Sequence, residues 1–286
     1  MTQRILVLGM NSFDSGKTIL SRNLAEFFVN NGQVVEYFKP ISGHNYWYRS
    51  EHTQNCITNS ILASRDAYLV RSILNSKIPL EIANPIHSLF VPAVLQQPTE
   101  VISSTLAVGG WDSILAIQRY SLLRRGRISS TSLLAEELIN SGKILLTQEE
   151  ANSLTRDAQV VPFDSMGMVE EYAKHNLEYT LDAAINAIEK DSEILLIEGF
   201  NNSSWLWEGL EWVDNILVTG PGHVYSYDPD RFRKAVFLVK YGSQPIREVP
   251  FSRVSDMIKP IGVVHLRPQQ GLTTQQLNLL SLNGKE

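Results

Sequence analysis

The feature that most limits what this chain can fold into lies near its start, from Arg4 to Pro40: RILVLGMNSFDSGKTILSRNLAEFFVNNGQVVEYFKP. RILVLG (Arg4 to Gly9) is a short unbroken apolar run, the pattern of a strand buried on both faces of a parallel sheet. From Lys17 onward, Ile19, Leu20, Leu24, Phe27 and Phe28 recur at helical spacing, and Asn30-Asn31-Gly32 is a helix-stop signal. A second strand follows in QVVEYFKP. Strand, helix and strand this close together make a βαβ unit, which demands a parallel sheet and a right-handed crossover.

The loop inside that unit, GMNSFDSGKT from Gly9 to Thr18, carries chemistry. It ends in Gly16-Lys17-Thr18, the close of a phosphate-binding loop, although the usual Gly-x4-Gly-Lys-Thr spacing would put a glycine where Asn11 stands. Backbone N–H groups at a helix start, the helix dipole and a lysine suit an anionic phosphate, and the Thr18 hydroxyl suits Mg²⁺. Asn11 is expected to replace glycine because asparagine enters the left-handed region readily. The expected nucleotide contacts are therefore Asn11, Ser12, Phe13, Asp14, Ser15, Gly16, Lys17, Thr18 and Ile19.

Alternation returns at the far end. EILLIEG (Glu193 to Gly199), DNILVTGPG and IGVVHLRP read as strands, while MGMVEEYAKHNLEYTLDAAINAIEK and RFRKAVFLVKYG read as helices. The expected fold is α/β: one domain over residues 1–286 with a doubly wound, mostly parallel sheet of the P-loop NTPase type, its ligands at the carboxyl ends of the strands. Pro79, Pro85, Pro92 and Pro98 interrupt the middle, so residues 79–150 are expected to be an insertion. NSILASRDAYLVRSIL before it is helical by period, and GGWDSILAIQ (Gly109 to Gln118) is a candidate hairpin arm. TGPGHVYSYDPDRF reads as a loop at the sheet edge that suits a nucleotide base.

Composition narrows the function classes. The chain of 286 residues is 43% hydrophobic and 19% charged, enough to bury a large core. A net charge of -5 argues against a nucleic-acid partner held by phosphate neutralisation, and the one dense basic cluster, Arg124, Arg125 and Arg127, reads as a solvated turn. Cys56 is the single cysteine, which excludes an intrachain disulfide and a thiolate-rich metal site. His44, His52 and Cys56 lie close in sequence, but their spacing fits no zinc pattern and a fourth ligand is missing. No leader or membrane span is expected, so the expected location is cytoplasmic.

GMNSFDSGKT, VEYFKPISG and LLIEGFNN, in that order, resemble the dethiobiotin synthetase-like group of P-loop enzymes. Those enzymes carry G-T-D-T-x-x-G-K-T, Lys-Pro-Val-x-x-Gly after strand two and Glu-Gly-Ala-Gly-Gly after a later strand. The resemblance covers about a third of the chain. It implies ATP and Mg²⁺ as cofactors, Lys17 and Lys39 as catalytic residues, and Thr18, Asp66 and Glu198 around the metal. Asp14 matches an acidic loop position. Here the loop is one residue longer and Phe200-Asn201-Asn202 replaces Ala-Gly-Gly, which points to an acceptor other than the biotin precursor. Tyr46, Trp47 and Tyr48 suit either stacking on a flat acceptor or burial.

The physical reading agrees on the reaction class: two lysines and carboxylates for Mg²⁺ near one strand edge form a sufficient set for phosphoryl transfer. The expected function is ATP-dependent phosphorylation or activation of a small molecule by a ligase- or kinase-like enzyme, with a homodimer as one arrangement that the resemblance implies. The alternative is a dimeric nucleotide switch acting on a protein partner. Such switches usually carry a second lysine where this chain has Ser12, and no Asn-Lys-x-Asp segment is present to read guanine. A degenerate domain that binds nothing is the third class.

Overall fold

The computed structural model describes residues 2–12, 14–95, 113–124, 126–267 and 270–282. The chain runs β1 (Gln3–Gly9), α1 (Lys17–Asn30), β2 (Val35–Phe38), β3 (Ile41–Asn45), α2 (Ser50–Asn59), α3 (Arg65–Arg71), α4 (Leu80–Ala83) and β4 (Ile86–Pro92). It continues through β5 (Ser113–Arg124), β6 (Arg127–Leu134), α5 (Glu136–Asn140), α6 (Gln148–Leu154), β7 (Ala158–Pro162) and α7 (Met166–Ile188). Last come β8 (Ile194–Glu198), β9 (Asn215–Gly220), β10 (His223–Tyr227), α8 (Pro229–Val239), α9 (Phe251–Val254), β11 (Gly262–His265) and α10 (Thr274–Leu279).

Two compact units result. The first takes residues 1–40, 66–78 and 185–286; the second takes 41–65 and 79–184, and so contains the whole stretch 79–150. The protein is α/β, with mixed sheets whose parallel pairs include the centre of the first unit.

The sheet of the first unit has the order β11-β10-β9-β1-β8-β2. β1, β8, β9 and β2 are parallel where they pair, with Leu6 opposite Ile197 and Ile216. Ile5, Leu6, Val7 and Leu8 have no exposed surface, which is why that run carries no polar alternation. The two strands at one edge are antiparallel. β10 corrects the expected edge loop: TGPGHVYSYDP is a β9–β10 hairpin turning at Pro221-Gly222, where Gly222 takes φ 77. Its glycine and proline are turn residues and its aromatic stretch is the returning strand.

The second unit holds a five-stranded sheet, β3-β4-β5-β6-β7, with parallel outer pairs and antiparallel inner ones. The candidate hairpin arm is described only from Ser113, where it is β5, paired with β6 across a tight turn at Gly126. Arg124 and Arg127 flank that turn, as a solvated cluster should, and Arg125 lies outside the described residues. The segment from Asn59 to Leu74 is not one helix. Ser60 caps α2 in the left-handed conformation (φ 57), and α3 starts only at Arg65. Among the described residues no helix is long and apolar enough to cross a membrane.

Candidate functional site

The loop between β1 and α1 passes the carboxyl ends of β1 and β9. Thr219, on β9, accepts from the Met10 N–H at 2.9 Å through its carbonyl and donates its hydroxyl to the Ser15 carbonyl at 3.1 Å. Among the described loop residues the left-handed ones are Asp14 (φ 52) and Gly16 (φ 87), not Asn11, which corrects the reason expected for asparagine there. The reversal has moved towards the helix start. Gly16 is the N-cap and offers no side chain to the first-turn amides, and no acidic residue stands in that turn. Asn11, Ser12 and Asp14 are exposed, as is Ile19, whereas Ser15 is buried; Phe13 lies outside the described residues.

Lys17 folds back over β1. Its ammonium donates to the Asn201 carbonyl at 2.7 Å and to Ser15 Oγ at 3.1 Å. A Cβ at Gly9 would lie 2.7 Å from that ammonium and 2.3 Å from Ser15 Oγ, so only glycine leaves room for this cradle. Burial, reinforced by Lys39, pulls Lys17 down to about 8.

Beneath it lies Glu198, at the carboxyl end of β8, with no exposed surface. Its Oε1 accepts from Thr18 Oγ1 at 3.1 Å and from Lys39 Nζ at 2.5 Å. Its Oε2 accepts from Ser21 Oγ at 2.9 Å and from the Tyr37 hydroxyl at 3.0 Å. Lys39 also donates to Asp66 Oδ2, at the start of α3, at 3.0 Å. Burial lowers the Lys39 affinity for its proton, but the Asp66 and Glu198 carboxylates outweigh it and hold the ammonium charged. Burial likewise pushes Asp66 up, and Lys39, Thr18 and Lys17 overcome it, leaving the carboxyl below its ordinary value. Burial and Glu198 push the Tyr37 hydroxyl well up, so it stays a donor.

The structure thus brings together Lys17, Thr18, Lys39, Asp66 and Glu198, all in the first unit. Ser21 and Tyr37 join them without having been anticipated. Ser21 lies three residues after Thr18, on the same helix face, which is a usable signal; a tyrosine within an apolar strand gives none. The oxygen donors of Thr18, Asp66 and Glu198 fit a hard cation such as Mg²⁺. In this structure the Lys39 ammonium meets those carboxylates.

After Glu198 the chain turns inward. A Cβ at Gly199 would stand 2.9 Å from Leu8 Cδ2. Trp205 and Trp207 are core residues, and Trp207 packs edge-on against Phe38 with ring centres 6.0 Å apart. In the second unit, Tyr46 donates its hydroxyl to Glu150 at 2.9 Å, while Trp47 and Tyr48 are exposed, so burial does not account for that pair.

Comparison with known protein families, with curated proteins and with solved structures finds no match to this chain.

Proposed function

We propose that the chain is an enzyme of the dethiobiotin synthetase-like P-loop type that uses Mg·ATP to phosphorylate or activate a small-molecule acceptor other than the biotin precursor, in the cytoplasm. The observation that carries this reading is the convergence of two lysines and two carboxylates on a helix start whose amides have no side-chain cap. Bound Mg·ATP would supply the transferable phosphoryl group and the charge that polarises it. The chain's own residues do the rest. Lys17 and the first-turn amides of α1 bind phosphate oxygens, Thr18, Asp66 and Glu198 hold the metal, and Lys39 stabilises negative charge where the acceptor meets the phosphoryl group. Ser21 and Tyr37 hold Glu198 Oε2 in place, while Lys39 would have to release Glu198 Oε1 and Asp66 for those carboxylates to meet a metal.

Calorimetric titration with Mg·ATP tests the binding half. Lys17→Ala should weaken affinity by roughly thirtyfold to a thousandfold, since it removes a charge-assisted contact worth about 2 to 4 kcal/mol. A metabolite screen for ADP release above the basal rate tests the catalytic half, with Lys39→Met expected to cut any stimulated turnover by about a hundredfold while sparing ATP affinity. Equal affinity in wild type and Lys17→Ala would sink the proposal. So would ATP-driven dimerisation with no small molecule stimulating ADP release, the signature of a switch.

A further inference from the structure

We propose that His44, His52 and Cys56, in the second unit, form a binding site for a zinc-class divalent transition metal, with His87 and Ser42 as its outer shell. The three donors come from two elements. His44 is on β3, and His52 and Cys56 are four apart on α2, hence on one face of that helix. Their donor atoms all lie within 4.8 Å of one another. Cys56 Sγ is 3.6 Å from His52 Nε2. In a tetrahedral site with a Zn–N bond of about 2.0 Å and a Zn–S bond of about 2.3 Å, the nitrogen-to-sulfur edge is roughly 3.5 Å. That edge is already at ligand spacing.

The outer shell is a connected relay. His44 Nδ1 is 2.7 Å from His87 Nε2, His87 Nδ1 is 2.6 Å from Ser42 Oγ, and Ser42 Oγ accepts from Asn84 Nδ2 at 2.8 Å. When Ser42 donates to the Ile86 carbonyl, at 3.5 Å, His87 donates to Ser42 and His44 donates to His87. The lone pair of His44 then sits on Nε2, the ring nitrogen that does not meet His87. Metal-bound histidines are oriented by just such a partner on the second ring nitrogen. Among the described residues the Thr53 hydroxyl bonds to His44 Nε2, at 3.1 Å, and it has the Arg49 carbonyl at 3.1 Å as an alternative acceptor, so freeing His44 leaves it paired.

The spacing along the sequence hides this site, because the orienting His87 and the Ala63 carbonyl lie outside the His44–Cys56 stretch. That carbonyl oxygen accepts from His52 Nε2 at 2.8 Å and lies 3.8 Å from Cys56 Sγ; once the His52 proton has moved, widening the nitrogen-to-oxygen edge to roughly 3.3 Å would make it the fourth ligand of a tetrahedral site. Loading the metal releases the Cys56 thiol proton to solvent and moves the His52 proton from Nε2 to Nδ1, so three uncharged donors and one thiolate face the ion. A donor set of nitrogen, sulfur and one carbonyl selects zinc or cobalt over magnesium. Such an ion would pin β3 to α2.

The test is titration of the full chain, stripped of metal by a chelator, with Co²⁺ and then Zn²⁺. One equivalent of Co²⁺ should give a sulfur-to-cobalt charge-transfer band and tetrahedral visible bands, both displaced by Zn²⁺, and Zn²⁺ should raise the unfolding temperature. Cys56 is the chain's one cysteine, so the charge-transfer band has a single source. Cys56→Ser should abolish it, and His87→Gln should keep the band while weakening affinity about ten- to a hundredfold. Circular dichroism of Cys56→Ser and, separately, His44→Gln would show that they fold. Two results overturn the proposal: no charge-transfer band in the wild type, or only the weak spectrum of an oxygen-ligated octahedral ion that Cys56→Ser leaves unchanged. Neither bears on Mg·ATP binding by the first unit.

Discussion

Lys39 Nζ donates to Glu198 Oε1 at 2.5 Å, pairing a lysine that is 4% exposed with a glutamate that has no exposure. A buried pair of this kind adds little net stability over apolar neighbours, yet removing one member strands the other. Lys39→Met should therefore destabilise the protein by about 3 to 5 kcal/mol, leaving Glu198 and Asp66 without their ammonium. Adding Glu198→Gln to that variant should cost less than the two single effects together. Chemical denaturation of the four proteins of the cycle measures the coupling, and strict additivity would refute it.

Metal dependence isolates Glu198 from the nucleotide. Under the proposed function, Glu198→Gln should hold ATP affinity within about tenfold in the absence of Mg²⁺ and lose the metal's enhancement of turnover, because an amide brings no charge to the ion. Initial rates across a Mg²⁺ series give the answer. Full Mg²⁺-dependent activity in the glutamine variant would return Glu198 to a purely structural role.

Lys17 predicts a pH profile. Its folded value is about 8 and its ordinary value 10.5, lowered first by burial and then by Lys39. Between those values the unfolded chain holds a proton that the folded chain has released, so this residue's contribution to stability rises with pH through the window and carries its full penalty below about 8. Nucleotide binding should run the opposite way, since a polyphosphate needs the ammonium. Affinity should fall by up to about tenfold per pH unit above 8, and Lys17→Ala should flatten the profile.

Two glycines should fail differently. At Gly9 a new Cβ would meet Ser15 Oγ and the Lys17 ammonium, the movable ends of side chains, with the Asn201 carbonyl at 3.1 Å. At Gly199 it would press on Leu8 Cδ2 at 2.9 Å, a side chain with no exposed surface and therefore no room to give. Gly199→Ala should thus cost about 1 to 3 kcal/mol of stability. Gly9→Ala should lose less stability and more nucleotide affinity, as Lys17 is pushed from its seat. Melting curves and titrations on both variants separate the cases, and a reversed order would contradict the cradle.

What could be read from the residues alone follows from how strongly each segment repeats. The first sheet's β1 and β8 are apolar runs, β2 is interrupted only by Glu36, and α7 is a long periodic helix, so tertiary context had little to overrule. The second unit's sheet escaped because RISSTSLL, the sequence of β6, mixes polar and apolar residues without clean alternation. The break between α2 and α3 is made by Ser60 in a left-handed turn, and nothing in a serine announces that. Similarly, Lys17 and Thr18 stand in a recognisable loop, whereas Tyr37 looks like any strand aromatic until its hydroxyl is seen on Glu198.

The position of β1 has a consequence for how the protein is made. Both of its neighbours, β8 and β9, come from the last third of the chain. On the ribosome the first apolar strand emerges long before either partner exists, while residues 41–65 and 79–184 already contain all five strands of the second sheet. The second unit can therefore form during translation, and β1 must wait, its Ile5 to Leu8 uncovered, until β8 and β9 have left the exit tunnel. A ribosome stalled when α7 has cleared the exit tunnel and β8 has not should carry a folded second unit and a β1 that binds chaperones, with Glu198 not yet able to meet Lys39.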